Sequence, residues 1–327
     1  MELLIHQFPD GPLECKVGNW ISCDFHHIPT EVFFITNFEK SKTYYFQEKE
    51  SIELGQLDEF NFCFSNDEFR ETDHEEYIRE LTYFKQQLIA IGIKKAIFSR
   101  VVEVNGSSKI SYSNLLKSLI SEYRNKALIY LISSEKFGTW IGATPEYLVK
   151  GNNKELTTLS LAGTKKYDSE NWTKKEIEEQ KLVTDFVRDK LNTIKSTNIR
   201  ESEIETLFTG SVYHLCTRFN YQIDSKCWKK LLDELHPTPA VGGEPRKAAL
   251  KLIRENEKHE RNLYTGMIGY YGKDLLNVYV NLRCMQIIKS KCYLYVGGGI
   301  TTESDPINEW KETENKAKTL IPFIKMQ

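Results

Sequence analysis

Near the end of the chain, YTGMIGYYG, NVYVNLRCMQIIK and KCYLYVGGGI follow one another with no helical period between them. Each is rich in β-branched and aromatic residues, so each predicts a strand, and in succession they predict an antiparallel meander. Parallel strands would need a crossover, usually a helix, between them. The same habit recurs upstream, where ALIYLISS, TWIGATPEYLVKG and LTTLSLAGTKKY read as consecutive strands around turns. Strands arriving in runs argue for an α+β class rather than a doubly wound dinucleotide-binding sheet.

Helical spacing appears elsewhere. EEYIRELTYFKQQLIAIGI (75–93) has apolar residues at 77, 81, 84, 88 and 91, and Gly92 marks its end. KKAIFSRVVEV (94–104) then alternates as a strand, and NLLKSLISEY, the stretch 173–194, CWKKLLDELHP and PRKAALKLIRENE read as further helices. The first 70 residues mix strand-like EVFFITNF and KTYYFQ with acidic turns and carry no recognisable chemistry. No proline- or serine-rich linker and no short-period repeat divides the chain. One large domain is expected, with 1–80 as an irregular N-terminal part and 81–327 as the catalytic region.

At 327 residues such a domain can bury a large core. A net charge of −2 gives no reason to expect nucleic acid or an acidic membrane surface. The opening MELLIHQFPDG lacks a basic, then apolar, signal-peptide pattern, and no run approaches the roughly 18 apolar residues of a membrane span. Seven cysteines, odd in number, scattered and without CxxC, point to reduced core thiols and a cytoplasmic protein.

Charge on buried faces is where chemistry concentrates. In the helix from Thr173, Val183, Phe186, Val187, Leu191 and Ile194 define the buried stripe, and Glu176 and Glu179 continue it. Ionised carboxylates there need a cation or strong donors. Alternatively the stripe emerges into solvent in its first turns, where acids suit the helix dipole. In DPINEWKETENKAKTL, Asp305 reads as an N-cap and Pro306 as the first helical residue, with Glu309, Glu312 and Lys316 down one face. Two such helices could make an oxygen-rich Mg²⁺ pocket if they met, and nothing local shows that they meet. Lys95 opens a strand, Glu146 follows Pro145 at a strand turn, and Arg283 interrupts an apolar strand. His214 reads either as a satisfied core residue or as a ligand. HPTPAVGGEP (236–245) reads as a loop whose backbone approaches a ligand closely. GGGI is separated from its helix by TTESDP and lacks the G-x-G-x-x-G spacing of dinucleotide sites.

Taken in order, KAIFSR, WIGATPEYL, LAGTKKY, KEIEEQKLV, HPTPAVGG, LYTGMIGYY, VNLRC and VGGGI…DPINEWKETENK resemble the chorismate-utilising enzymes over about residues 80–327. The resemblance implies an anthranilate synthase component I-like fold, two layers of mostly antiparallel sheet flanked by helices. It implies that the two glutamate-bearing helices face each other across a Mg²⁺ site. Glu179 and Glu312 would be direct ligands, with Glu176 and Glu309 completing the ring. Chorismate is the implied substrate. Arg283 and Tyr264 would take its pyruvyl carboxylate, an anion that the planar fork of arginine suits. Lys316 would lie near the metal-bound end and His214 beside the ring. Gly163, Thr164, Gly297, Gly298 and Gly299 would offer close contacts.

Within the family, a lysine at the Lys95 position marks the isochorismate and salicylate synthases, Ala162 argues against the aminodeoxychorismate synthases, and Ala240 resembles the isochorismate synthase branch. That branch implies water addition at C2 of chorismate with loss of the C4 hydroxyl, in menaquinone or siderophore biosynthesis. Lys95 would act as general base in its neutral form, which desolvation favours. Glu146 would be the general acid and must hold a proton at neutral pH. Salicylate synthase, ammonia-using anthranilate synthase component I and an inactive chorismate-binding relative are the alternatives. No obligate protein partner is expected. Gln180 departs from the family, which often has histidine after this glutamate.

Overall fold

The computed structural model describes residues 1–65, 69, 71–105, 110–165, 171–208 and 213–325, without the side chains of Thr164 and Lys325. Four strands precede the first long helix: β1 (Glu2–Gln7), β2 (Glu14–Cys23), β3 (Val32–Thr36) and β4 (Thr43–Ser51). The N-terminal part, expected to be irregular, therefore supplies regular sheet. Helix α1 (His74–Ile91) comes next, then β5 (Lys95–Asn105), α2 (Tyr112–Tyr123), β6 (Leu128–Ser134), β7 (Gly138–Thr144), β8 (Tyr147–Asn152) and β9 (Leu156–Lys165). After α3 (Lys174–Thr193) come β10 (Thr197–Glu201), β11 (Glu205–Phe208), β12 (Tyr213–Gln222), α4 (Trp228–Leu235), β13 (Gly243–Glu244) and α5 (Arg246–Asn256). The chain closes with β14 (Met267–Tyr271), β15 (Leu275–Val280), β16 (Cys284–Ile288), β17 (Lys291–Ile300), α6 (Pro306–Ala317) and α7 (Ile321–Lys325).

The helices begin and end on the signals in the sequence. Asp73 caps α1 by accepting from the Glu76 amide at 2.8 Å, and Gly92 ends it in the left-handed region at φ 76°. Asp305 caps α6 through the Asn308 amide at 2.9 Å, with Pro306 in the first turn. Thr173 and Glu176 form a reciprocal capping box on α3.

Strand pairing is antiparallel throughout and forms one ribbon. From one end it runs β12, β9, β8, β15, β14, β3, β4, β2, β1, β6, β7, β16, β17, β5, β13, with β10 and β11 both on the outer edge of β12. Side-chain alternation shows how it folds over. Phe33, Ile35, Ile268 and Tyr279 share one core with Leu4, Tyr130, Trp140 and Tyr295, which come from the other half of the ribbon. Their alternate neighbours point outward. Leu3, Ile129, Met285 and Leu294 pack under α2, and Phe34, Met267 and Val278 pack under α3 and α4. The expected two layers of sheet flanked by helices are thus present, with aromatic residues filling the gap between them. Fully burying each such side chain stabilises by about 1.5–3 kcal/mol.

The expected three-strand meander at the C-terminus is instead two hairpins. β14 pairs with β15 and β16 with β17, and the chain changes layer between β15 and β16, at Asn281–Arg283. Arg283 sits there with φ 47°, a left-handed conformation that breaks strand continuity. A second change of layer occurs between β7 and β8, at Pro145–Glu146. The two crossovers are tied together: the Val280 amide donates to the Glu146 carbonyl at 3.0 Å and the Ala143 amide to the Arg283 carbonyl at 3.1 Å. Among the described residues no helix is long and apolar enough to cross a membrane.

Candidate active site

Both crossovers open into one cavity, lined by Lys95, Glu146, Ala162, Gly163, Glu179, His214, Ala240, Tyr264, Arg283, Gly297, Gly298, Gly299, Glu312 and Lys316 among others. Residues more than 200 positions apart therefore meet in the mouth between the layers, beneath α3 and α6.

The floor comes from β5 and β17, whose register pairs Ile97 with Gly299, Phe98 with Gly298 and Ser99 with Gly297. Lys95 is buried, and its side chain runs across Gly299. A Cβ at that glycine would lie 2.6 Å from the lysine Cε and 3.2 Å from Nζ. Over Gly298 a Cβ would meet Glu309 Oε2 at 2.9 Å and Glu312 Oε1 at 3.9 Å. The Gly297 carbonyl accepts from Lys316 Nζ at 2.8 Å. The three glycines thus seat, in turn, a lysine, two carboxylates and a second lysine.

The crossovers supply an acid and a guanidinium. Glu146 keeps some solvent contact through the cavity but lies deep in the molecule, and burial pushes its carboxyl up to about 7. The positive charges of Arg283, Lys95 and Lys316 oppose that rise without cancelling it. Such a carboxyl can hold a proton near neutral pH. Arg283 is half-buried, and no hydrogen bond or ion pair joins its guanidinium to any described residue. A cation in that setting calls for an anionic guest.

The opposite wall is β9 and β12. Gly163 turns at φ 68°, and a Cβ there would sit 2.9 Å from Glu176 Cβ, so glycine lets α3 approach. His214 Nδ1 donates to the Gly163 carbonyl at 2.7 Å. Burial, reinforced by Arg283 and Lys316, lowers the imidazole to about 4, so it stays neutral. The backbone of Thr164 runs in β9, while its side chain lies outside the described residues. Tyr264 is buried and stacks on Tyr295 with ring centroids 5.5 Å apart.

Ala240 belongs to the Pro/Gly-rich loop, and an ion pair absent from the sequence reading holds that loop. Arg261 and Glu257 are both buried and 2.7 Å apart. Arg261 donates to the Val241 carbonyl at 2.8 Å and to the Ile97 carbonyl at 3.1 Å. Glu257 accepts from the amide and hydroxyl of Ser99 at 2.8 and 2.7 Å. Burial alone would raise the Glu257 carboxyl, yet Arg261 holds it below its ordinary value. The pair fixes the loop against the strand that carries Lys95. Gly243 closes the seam: a Cβ there would lie 2.3 Å from the Lys95 carbonyl oxygen.

The two glutamate-bearing helices do meet, but not as a ring of four. Glu176 turns back to its own helix N-terminus, accepting from the Thr173 amide and hydroxyl at 2.7 and 2.6 Å. That capping role draws it away from the cavity, which neither it nor Glu309 lines. Glu179 Oε2 lies 3.4 Å from Lys95 Nζ. Glu312 Oε1 accepts from Lys316 at 2.6 Å; burial would raise this carboxyl, but Lys316 and Lys175 hold it low. Glu309 is only 2% exposed, with Oε1 at 2.9 Å from Lys175 Nζ. Its Oε2 is buried with no hydrogen-bond partner among the described residues. Lys175 Nζ is also 3.9 Å from Glu179 Oε1. Among the described residues no three His, Cys, Asp or Glu side chains stand close enough together to hold a metal ion. The donor set still fits a hard cation. Glu309 Oε2 is orphaned, Gly298 leaves room beside it and Glu312, and a positive charge already sits between the helices. Lys175, four residues before Glu179, escaped the sequence reading although its i,i+4 spacing was visible. Gln180 anchors α3, donating to the Ser160 carbonyl at 3.0 Å and to Thr184 and Thr217 hydroxyls at 3.2 Å.

The model of the chorismate binding enzyme family matches residues 34–325. This chain belongs to that family. The vibriobactin-specific isochorismate synthase of Vibrio cholerae is 28% identical over 262 residues, covering 76% of this chain and 66% of that protein. Isochorismate synthase EntC of Escherichia coli K12 is 26% identical over 242 residues, covering 70% of this chain and 62% of EntC. The matched part thus spans slightly under two thirds of each relative's length. In fold, the chain is similar to the solved structure of MenF, the menaquinone-specific isochorismate synthase from Escherichia coli. That match has a TM-score of 0.83 at 18% identity, over 99% of this chain and 89% of MenF.

Proposed function

We propose that this protein is a Mg²⁺-dependent isochorismate synthase. The observation that carries the reading is the cavity in which a buried lysine, a carboxyl raised to about 7 and an arginine with no side-chain partner among the described residues meet. Chorismate, a dicarboxylate with a hydroxylated ring, matches these charges. Arg283 and Tyr264 bind the pyruvyl carboxylate, and Glu179 and Glu312, supported by Glu309, hold the metal. When bound, Mg²⁺ neutralises and orients the ring carboxylate. Lys95 takes a proton from water, whose oxygen bonds to ring carbon 2. The double bonds shift, the C4–O bond breaks, and Glu146 gives its proton to the departing hydroxyl, which leaves as water. Neutral His214 lines the cavity without adding positive charge.

Both siderophore- and menaquinone-specific proteins are among the relatives. The proposal therefore stops at isochorismate, the product their names share. Lys95→Ala tests the base. Chorismate binding should stay within a few-fold while turnover falls at least ~100-fold, the range of general base catalysis. Unchanged turnover would remove Lys95 from the role.

A further inference from the structure

Among the features the mechanism leaves unused, Lys175 is the one that several observations explain together. Its ammonium lies 2.9 Å from Glu309 Oε1 and 3.9 Å from Glu179 Oε1, joining α6 to α3. Glu309 is almost wholly buried, and a carboxylate there without a counter-charge is strongly disfavoured. A second cleft of about 440 Å³, sharing Lys95 and Glu179 with the active-site cavity, is lined by Lys175, Glu178 and Glu303 among others. The Lys175 side chain is 31% exposed, so one side of it already faces solvent. Glu178 and Glu303 are exposed acids, suited to receive an ammonium that turns outward.

We infer that Lys175 is a resident cation that competes with the divalent metal for the inter-helix carboxylates and withdraws into this cleft when the metal binds. The inference rests on the reading of Glu179 and Glu312 as metal ligands. Two cations at one carboxylate pair repel, so metal affinity is set by the difference between metal and ammonium at the same oxygens. The competition weakens the apparent affinity for a divalent ion by the free energy needed to displace the lysine.

The test is calorimetric titration of the full chain with Mg²⁺ alone, without substrate. Lys175→Met should bind Mg²⁺ about tenfold or more tightly than the wild type, while Lys174→Met, on the exposed neighbour, should bind as the wild type does. The variant should also melt lower before Mg²⁺ is added and gain more from saturating Mg²⁺ than the wild type. Equal or weaker binding by Lys175→Met, or equal tightening by Lys174→Met, would overturn the inference. Should Lys175→Met fail to fold, Lys175→Arg keeps the charge and must bind Mg²⁺ no tighter than the wild type; tighter binding contradicts competition. If neither the wild type nor Lys175→Met binds Mg²⁺, the ligand reading falls and the inference with it. If both bind equally, only the inference falls.

Discussion

Glu146 is the residue whose chemistry depends most on its place in the fold. In the unfolded chain a glutamate loses its proton above the ordinary 4.5, whereas in the folded chain burial holds the proton until about 7. Between those values the folded state binds more protons, so stability falls as pH rises through that window. Glu146→Gln removes this loss. The variant should melt higher than the wild type at about pH 8 and show little gain near pH 4.5, by thermal unfolding at both. Turnover should move the opposite way, lost in the variant at every pH and declining in the wild type above about 7 as the acid gives up its proton. Equal melting at both pH values would mean that Glu146 is not proton-bound. The sequence made Lys95 legible as a charge opening a strand, Glu146 as one at a strand turn and Arg283 as one interrupting an apolar strand. It did not reveal that Glu146 and Arg283 are neighbours in space, because each lies at a change of layer and both changes depend on strands far away in the chain.

At the scale of elements, helix positions followed directly from caps and periodicity, since those signals are local. The meeting of α3 and α6 over β17 is a tertiary fact, and the spacing of Glu176, Glu179, Glu309 and Glu312 left it open. The resemblance put Glu176 in the ring, and in this structure its carboxylate closes the capping box at its own helix N-terminus, a contact the motif did not announce. The Glu257–Arg261 clamp was likewise hidden: at i,i+4 it reads as an ordinary surface pair, yet both side chains are 3% exposed. Arg261→Met leaves Glu257 buried without its partner and should cost about 3–5 kcal/mol. Melting should fall by on the order of 10 °C, and the loop holding Ala240 should loosen from Lys95's strand. A melting change within a degree or two would show that the pair does not hold the loop.

For the whole molecule, one antiparallel ribbon folded into two layers explains why the site's residues are so scattered. Strands in runs announced the α+β class, and motif order announced the family. The N-terminal strands carried no such motif, so their place in the middle of the ribbon was not readable. The central claim is water addition to chorismate in the inter-layer cavity. It is tested most directly by incubating the protein with chorismate and Mg²⁺ in ¹⁸O-labelled water, with and without ammonia, and identifying the first product. The account predicts isochorismate carrying one labelled oxygen at C2, at a rate indifferent to ammonia. Early salicylate with pyruvate, anthranilate that depends on ammonia, or no conversion despite Mg²⁺-dependent chorismate binding would contradict it.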